Sequence, residues 1–235
     1  MSRWFPEPTL LWLRPHKAQL SLDSFETELD RLALRRGARL TCVVAGEGVR
    51  YRIVPWSDEL VSPQQRQVFV RHCFTEAFGE AAHDWTVRAH PARYGAATLA
   101  CAIDTAVLDR LDALAQARHL SLVSVQPSLT HAHNQLRGRM EASLFWFVWI
   151  DGPWTTLLLV SQREPLHVKR VPTGSGELAQ LLDREWFLIG TDEPRCPVYV
   201  ARAASADAVT VRTGDAGGWQ LLALPPVPDR METLQ

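Results

Sequence analysis

The chain has 235 residues, of which 46% are hydrophobic and 22% charged, and its formal net charge is −1 at pH 7. This composition is typical of soluble globular proteins, and the length suffices for one large domain or two small ones. A net charge near zero provides no broad basic field, so nucleic acid is not an expected partner.

Neither export nor membrane insertion is expected. The N-terminal residues MSRWFPEP contain no apolar signal-peptide core, which predicts a cytoplasmic protein. The most apolar stretch, Leu144–Val160, has Asp, Gly and Pro at its centre and falls short of the about 18 uninterrupted apolar residues of a membrane span. The cysteines are far apart and lack a CxxC spacing, so we expect buried free thiols at Cys42, Cys73, Cys101 and Cys196.

The first ninety residues predict a strand hairpin, a helix, two strands around Gly46-Glu47-Gly48, a second helix and a further strand. The second helix has the clearest start, because Ser62, Pro63 and Gln65 fit a capping box with proline at the first helical position. The predicted ranges, in chain order, are Thr9–Leu13, Ala18–Leu22, Ser24–Arg36, Arg39–Ala45, Val49–Val54, Pro63–Phe78 and Trp85–Ala89.

A strand, a helix and a strand follow in close succession. The apolar run Ala97–Ile103 precedes Asp104, a fitting N-cap for a helix over 105–118, and a second strand begins at Leu120. We interpret this order as a β-α-β crossover, which implies a parallel pair of strands in one sheet. A helix from Ser128 to Arg137 then ends at Gly138.

The second half opens with LFWFVWIDGPWTTLLLV, in which two strands meet at Asp151-Gly152-Pro153. The first strand is apolar on both faces, which is typical of a strand inside a sheet that is covered on both sides. Beyond it the sequence predicts a third strand, a helix closed by Gly190, three strands and a loose tail. Their ranges are Leu166–Val171, Gly174–Ile189, Pro197–Ala203, Ala208–Arg212, Trp219–Leu224 and Pro225–Gln235.

Two glycine-containing segments could bind phosphate. At Asp151-Gly152 the turn could let backbone N–H groups converge on an anion. However, Pro153 has no N–H and Trp154 is bulky, so a plain hairpin turn is favoured. The segment 173–177, TGSGE, could hold an anion at a helix N-terminus, but it lacks the lysine of a P-loop. Helix capping by Thr173 or Ser175 is favoured there.

No catalytic or metal constellation is predicted, and no cofactor is expected. His131 and His133, with His119 upstream, could suggest a metal, but positions i and i+2 of a helix do not share a face. His72 and Cys73 could suggest a thiol nucleophile, but adjacent helical residues diverge by about 100°. The chain is therefore predicted not to be an enzyme.

The nine tryptophans are many for this length. Five of them lie at predicted turns or element ends, where tryptophan serves either to cap the core or to form a protein interface. These are Trp4, Trp56, Trp85, Trp154 and Trp219.

The segment 97–129, ATLACAIDTAVLDRLDALAQARHLSLVSVQPSL, resembles actin-like cytoplasmic proteins of bacterial envelope machines. These are the L component of type II secretion and the M component of type IV pilus assembly. The upstream LTCVVAGEGVRYRIVPWSDEL and the downstream WFVWIDG, WTTLLLV and LHVKRV are similar to further parts of that pattern. The resemblance covers most of Arg39–Val171 and lies in the order of elements more than in residue identity.

The resemblance implies an α/β, two-lobed actin-like (ribonuclease H-like) fold with mixed sheets, in shortened form. We expect a first lobe at residues 1–138 and a second at 139–235. Pilus-type members bind ATP through a phosphate loop in each lobe, whereas secretion-type members are degenerate docking platforms. This chain has no Asp or Gly in LLWLRPHKAQLSL, where the first phosphate loop would fall, and its second turn lacks a spaced Asp-x-Gly.

The leading hypothesis is therefore a non-catalytic adaptor that docks inner-membrane pilus or secretion components to a cytoplasmic assembly ATPase. Its partners would be proteins, a homodimer is left open, and attachment to the inner membrane would come through a partner. One alternative is an ATP-binding actin-like protein with weak or no hydrolysis. Another is an unrelated α/β domain with the same order of elements.

Overall fold

The computed structural model describes residues 8–14, 22–90, 93–174, 177–190, 193–206 and 214–229. These ranges contain twelve strands and five α-helices. The strands are β1 (Thr9–Leu13), β2 (Arg39–Val44), β3 (Arg50–Val54), β4 (Trp85–Ala89), β5 (Thr98–Asp104), β6 (Ser121–Pro127), β7 (Leu144–Asp151), β8 (Trp154–Ser161), β9 (Glu164–Pro172), β10 (Val198–Arg202), β11 (Gly214–Ala216) and β12 (Trp219–Ala223). The helices are α1 (Asp23–Leu32), α2 (Pro63–Phe78), α3 (Thr105–Ala117), α4 (Ser128–Leu136) and α5 (Leu178–Ile189).

The strands form three sheets. The first has the order β1-β2-β6 and is parallel throughout; the second has the order β3-β5-β4 and is antiparallel. The third contains every described strand after α4, in the order β11-β12-β10-β7-β8-β9, and is mixed. Residues up to Pro127 therefore build two small sheets, and residues from Leu144 build one large sheet.

Strand β7 lies inside the large sheet and is covered on both faces, as its sequence predicts. Its side chains Phe145, Phe147 and Trp149 join a core that also includes α4 and the β1-β2-β6 sheet. Trp146 and Val148 point the other way, into a core beneath α5. Burial of two full rows of large side chains removes much apolar surface from water, so this strand is a main source of stability.

The remaining helices cover the small sheets. Helices α1 and α3 pack on the outer face of the β1-β2-β6 sheet, around Phe25 and Leu111, and α2 packs on the β3-β5-β4 sheet through Phe74. The chain is thus layered as α1 and α3, sheet, α4, large sheet and α5, with the α2 unit attached to one side. No helix in the described ranges is long and apolar enough to cross a membrane.

Local signals in the sequence place several helix ends correctly, but α1 ends at Leu32, because Ala33 is left-handed, and so falls short of the predicted Arg36. Ser62 Oγ accepts a hydrogen bond from Gln65 N at 3.1 Å, and Gln65 Oε1 accepts one from Ser62 N at 3.0 Å, which confirms the capping box. Asp104 caps α3 by accepting from Ala106 N at 2.8 Å. Gly190 ends α5 in the left-handed conformation, with φ +67°.

The predicted β-α-β crossover is wrong. Strand β5 pairs antiparallel with β3 and β4, whereas β6 pairs parallel with β2, so α3 carries the chain from one sheet to another. An apolar strand, a capped helix and an apolar strand give the same sequence pattern whether the two strands share a sheet or lie in adjacent sheets. The pairing partners β2 and β3 are distant in sequence and could not be identified from this segment alone.

Three further predictions concern two strands and the tail near the chain ends. The partner of β1 in the expected hairpin, Ala18–Leu22, lies almost wholly outside the described residues, as does Ala208–Arg212. Strand β1 instead pairs parallel with β2. The tail is predicted to be loose, but two of its described residues are buried: Val227, which bridges Ala203, and Asp229, which accepts from Ser205 N–H.

His131 on α4 is a buried polar residue inside the core between the sheets. Its Nδ1 lies 3.2 Å from Gln126 Oε1, its Nε2 lies 2.8 Å from Gln135 Nε2, and its ring meets Trp12 edge-on at 5.7 Å. When the neutral ring carries its proton on Nδ1, Nδ1 donates to Gln126 Oε1 and Nε2 accepts from Gln135 Nε2. Burial lowers the pKa of His131 below its usual value.

This lowered pKa predicts a stability loss in acid. The unfolded chain takes up a proton near the usual histidine pKa of about 6.5, whereas the folded chain does so only at lower pH. The contribution is therefore complete above about pH 6.5 and is lost as pH falls below it. We expect Tm to decrease between about pH 7.5 and 5, and less steeply for His131→Gln than for the wild type.

The matched control is His72→Gln, which replaces an exposed histidine on α2. Melting curves recorded by circular dichroism across the pH series provide the measurement. Equal pH slopes for His131→Gln, His72→Gln and the wild type would contradict the assignment.

Candidate functional site at the junction of the two halves

The turn between β7 and β8 is a two-residue hairpin turn, because Asp151 pairs with Trp154 across it. Gly152 has φ +58°, and the following Pro153 is fixed by its ring at negative φ, the combination of a type II′ turn. Thr173 closes the turn from β9: its N–H donates to Pro153 O at 2.7 Å and its hydroxyl donates to Gly152 O at 3.2 Å. The backbone therefore forms the plain hairpin turn that the sequence favours.

The side chain of Asp151 ties this turn to the first half of the chain. Its Oδ2 accepts hydrogen bonds from Gly46 N at 2.9 Å and from Ser128 Oγ at 2.6 Å. The residue is only 4% exposed. Ser128 Oγ in turn accepts from Trp149 Nε1 at 3.2 Å, so the buried carboxylate belongs to a network that spans β7, α4 and the loop after β2.

Trp154 and Arg170 hold the same loop from the other side. Trp154 Nε1 donates to Glu47 Oε1 at 2.9 Å, and the Arg170 guanidinium lies 4.5 Å from the Trp154 ring centroid. Arg170 also donates to the carbonyl oxygens of Gly46 and of Val49, the latter at 2.8 Å. We call this set of contacts between Asp151, Trp154, Arg170 and the 46–49 loop the hairpin junction.

Arg14, at the end of β1, adds a third chain segment to the hairpin junction. Its Nη1 lies 3.7 Å from Asp151 Oδ1, and its Nη2 donates to Asp229 Oδ2. Asp229 also accepts from the backbone N–H and hydroxyl of Ser205. The Arg14 guanidinium therefore joins three parts of the chain. Arg14 itself lies where the resemblance places the first phosphate loop, Asp151 lies at the turn where it places the second, and Asp229 lies in the tail.

These contacts determine which chemistry the junction can support. The Gly46 N–H, the group best placed to approach an anion, already donates to Asp151. Pro153 has no N–H to give, and the Asp151 carboxylate repels phosphate. Most polar groups of the hairpin junction thus bind one another, and their arrangement holds the two halves of the chain together. Asp151 Oδ1 and Glu47 Oε2 are buried without a hydrogen-bond partner among the described residues.

The other candidate binding residues that the sequence suggests are Thr173, Ser175 and the histidines of α4. Thr173 does not cap α5, whose N-cap is Glu177 without a side-chain hydrogen bond; Ser175 lies outside the described residues. Among the described residues no group of three His, Cys, Asp or Glu side chains could hold a metal. His133 packs edge-on against Phe147 at 5.5 Å, away from His131 and its glutamine partners.

The cysteines are free, as expected, and three of the four are buried. Burial raises the pKa of Cys42 to about 12 and the pKa values of Cys101 and Cys196 to about 11. Burial also raises the pKa of Cys73, the neighbour of His72. Since the thiolate is the reactive form, none of these thiols has the environment of a nucleophile.

A second feature is an open cleft of about 1050 Å³ beside α4. One arginine comes from each of its walls: Arg93 from the β4–β5 loop, Arg137 from the end of α4, and Arg163 from the β8–β9 turn. All three side chains are exposed, and none forms an ion pair with a described residue. We call this the arginine cleft.

Sequence reasoning missed both the hairpin junction and the arginine cleft. It did not connect Asp151 or Trp154 with Gly46 and Glu47, because these partners are more than 100 positions away. The three cleft arginines are single residues in three separate segments of the chain. The one available signal was the bulky Trp154 beside a tight turn, where a phosphate loop would need small residues.

The hairpin junction predicts a large effect for Asp151→Ala. The substitution removes the acceptor for Gly46 N–H and Ser128 and leaves Arg14 without a counter-charge on this side. We expect the free energy of unfolding to fall by about 2–4 kcal/mol, since a hydrogen bond to a charged group and part of a shielded ion pair are lost. Urea denaturation measures the change.

Asp109→Ala is the matched control, because Asp109 is exposed on α3. It should alter the free energy of unfolding by no more than about 0.5 kcal/mol. Similar urea midpoints for the two variants would show that Asp151 does not stabilise the junction.

Comparison with solved structures reveals two similar folds. A chain of the PilM–PilN type IV pilus biogenesis complex superimposes with a TM-score of 0.59 at 15% sequence identity, covering 87% of this chain and 74% of its own. The cytoplasmic domain of EpsL, an inner-membrane component of the type II secretion system of Vibrio cholerae, gives a TM-score of 0.57 at 10% identity. That match covers 86% of this chain and 74% of the EpsL domain.

No protein-family model matches the sequence, and no curated protein matches it by sequence. At these identities the two structural matches establish the fold. The expected α/β actin-like fold is confirmed, and the chain shares it with the two kinds of assembly protein, of pilus and of type II secretion, that its sequence resembles.

Proposed function

We propose that this protein is a non-catalytic actin-like adaptor in a bacterial pilus or type II secretion assembly platform. It would connect inner-membrane components to a cytoplasmic assembly ATPase and lie at the inner face of the membrane through those partners. Its two lobes would be residues 1–138 and 139–235, which is also where the small sheets give way to the large one.

The hairpin junction is the observation that carries this proposal. In the resemblance that the sequence suggests, each lobe supplies a phosphate loop, and the nucleotide lies between them. In this chain Arg14 and Asp151 from those two positions face each other at 3.7 Å, and Trp154 is bonded to Glu47. The side chains that would have to receive phosphate are engaged in holding the lobes together.

The names of the structural relatives support the assembly role. One was solved as a complex of two pilus biogenesis proteins, and the other is a component of a secretion system in the inner membrane. An adaptor of this kind needs a docking surface, and the arginine cleft is a large concave surface that carries three exposed arginines. Concave surfaces with few, well-placed polar groups are where proteins usually bind their ligands.

Affinity capture tests the adaptor role directly. We expect the tagged protein, cross-linked in the bacterium that encodes it, to recover inner-membrane components and the assembly ATPase of one pilus or secretion system. The variant Arg35→Glu/Arg36→Glu, changed at two exposed arginines after α1, should recover the same partners. Failure to recover any component of such a system would rule out the adaptor role.

Binding of Mg-ATP separates the adaptor from its rival, an actin-like protein that binds nucleotide with weak or no hydrolysis. The shared fold is compatible with both. We expect no change in Tm with millimolar Mg-ATP, because the hairpin junction engages the groups that would contact phosphate. A ligand at 100 times its Kd would instead stabilise the fold by about 2.7 kcal/mol.

Magnesium sulfate at equal ionic strength is the control, since the arginine cleft could attract anions in general. A saturable Tm increase with Mg-ATP, absent with sulfate, would favour the nucleotide-binding alternative.

A further inference from the structure

The three arginines of the arginine cleft line an open space, and none of them forms an ion pair with another residue in the part of the chain that the structure describes. Arg93, Arg137 and Arg163 converge from three walls, and two glutamates, Glu141 and Glu164, share the lining. Three fixed positive charges against two negative ones leave the cleft net positive. A net positive charge in a concave, partly apolar space attracts ligands of opposite sign.

Two histidines, His90 and His133, also line the arginine cleft. Burial lowers the pKa of His133, and the nearby Arg137 lowers it further. His133 therefore favours its neutral form, and the positive charge of the cleft comes from its arginines.

A small apolar pocket continues the arginine cleft on the side of α2. It encloses about 140 Å³, and His90, Ala96 and Thr98 line both the pocket and the cleft. Its remaining walls are mostly apolar and include Leu60 and Phe69. The pocket and the cleft therefore adjoin each other, and we call the two together the groove.

Trp56 lines this pocket and is held in place by its neighbours. Its ring lies 4.9 Å from that of Tyr94, and one carboxylate, Asp58, accepts from Trp56 Nε1 at 2.8 Å and from the Tyr94 hydroxyl at 3.1 Å. The Arg66 guanidinium lies 4.5 Å from the Trp56 ring centroid. Tyr94 is nonetheless 83% exposed, so a preorganised aromatic pair borders the groove and faces solvent.

We propose that an extended, acidic segment of a partner protein binds along this groove. Carboxylates of the segment pair with Arg93, Arg137 and Arg163, and one apolar side chain enters the pocket beside Trp56. The net positive charge of the cleft selects the acidic composition, and the adjacency of cleft and pocket selects an extended chain, which can reach both, over a small anion. A flat bilayer surface cannot follow the concave walls. This inference rests on the proposed adaptor function and specifies the chemistry of its partner.

A synthetic peptide tests the inference. The probe is a fluorescein-labelled twelve-residue peptide of alternating Glu and Ser with one central Leu, and its control carries Gln in place of every Glu. We expect anisotropy to show saturable binding of the Glu peptide, weakened by added salt because exposed charge pairs are screened. The Gln peptide should bind far more weakly.

Matched charge reversals locate the site. Arg137→Glu/Arg163→Glu should weaken binding of the Glu peptide about tenfold or more, because two attractions become repulsions. Arg35→Glu/Arg36→Glu, with the same change in net charge, should leave the Kd within about twofold. Circular dichroism confirms that both variants are folded.

Several outcomes overturn the inference. They are absence of binding by the wild type, equal Kd values for the two double variants, equal binding of the Glu and Gln peptides, and binding only to anionic phosphatidylglycerol vesicles. These failures are distinct from failure of the adaptor role. If the wild-type protein still captures its assembly partners while the Glu peptide does not bind, only the acidic-segment inference falls.

Discussion

Asp151 accepts hydrogen bonds from Gly46 N and Ser128, is buried, and faces Arg14, and the rest of the structure depends on this one carboxylate. It is the point at which the large sheet, α4 and the small parallel sheet are joined by polar contacts inside the protein. Because a buried carboxylate is costly unless it is paired, these partners restrict how the two halves can lie relative to each other. Burial of the apolar core around β7 stabilises the fold, whereas the contacts of Asp151 restrict how the two halves are placed against each other.

The parts of the fold that the sequence predicts well are those determined by neighbouring residues. The boundaries of α2 follow from Ser62, Pro63 and Gln65, and the start of α3 follows from Asp104. The two-sided apolar pattern of β7 places it inside a covered sheet, since no other position satisfies both rows. Each of these signals acts within a few positions of the chain.

The parts that could not be predicted depend on residues far apart in sequence. Strand β5 has the pattern expected of a parallel partner for β6, yet it pairs with β3 and β4, and nothing within the segment distinguishes the two outcomes. The packing of Val227 and Asp229 depends on Ala203, Ser205 and Arg14. The candidate surfaces share this property, because Asp151 contacts Gly46 and three separate segments supply the arginines of the arginine cleft.

The hairpin junction and the arginine cleft together suggest how an actin-like fold can serve as a platform. Motion between lobes requires a junction that a ligand can open and close, and a ligand can shift such an equilibrium only by binding one state better. Here the contacts of Trp154 with Glu47 and of Arg170 with Gly46 favour one arrangement without a ligand. The walls of the arginine cleft come from both halves of the chain, so the contacts of the hairpin junction also affect how Arg137 and Arg163 are placed relative to each other. For the proposed partner this matters, because groups already in place lose less entropy on binding.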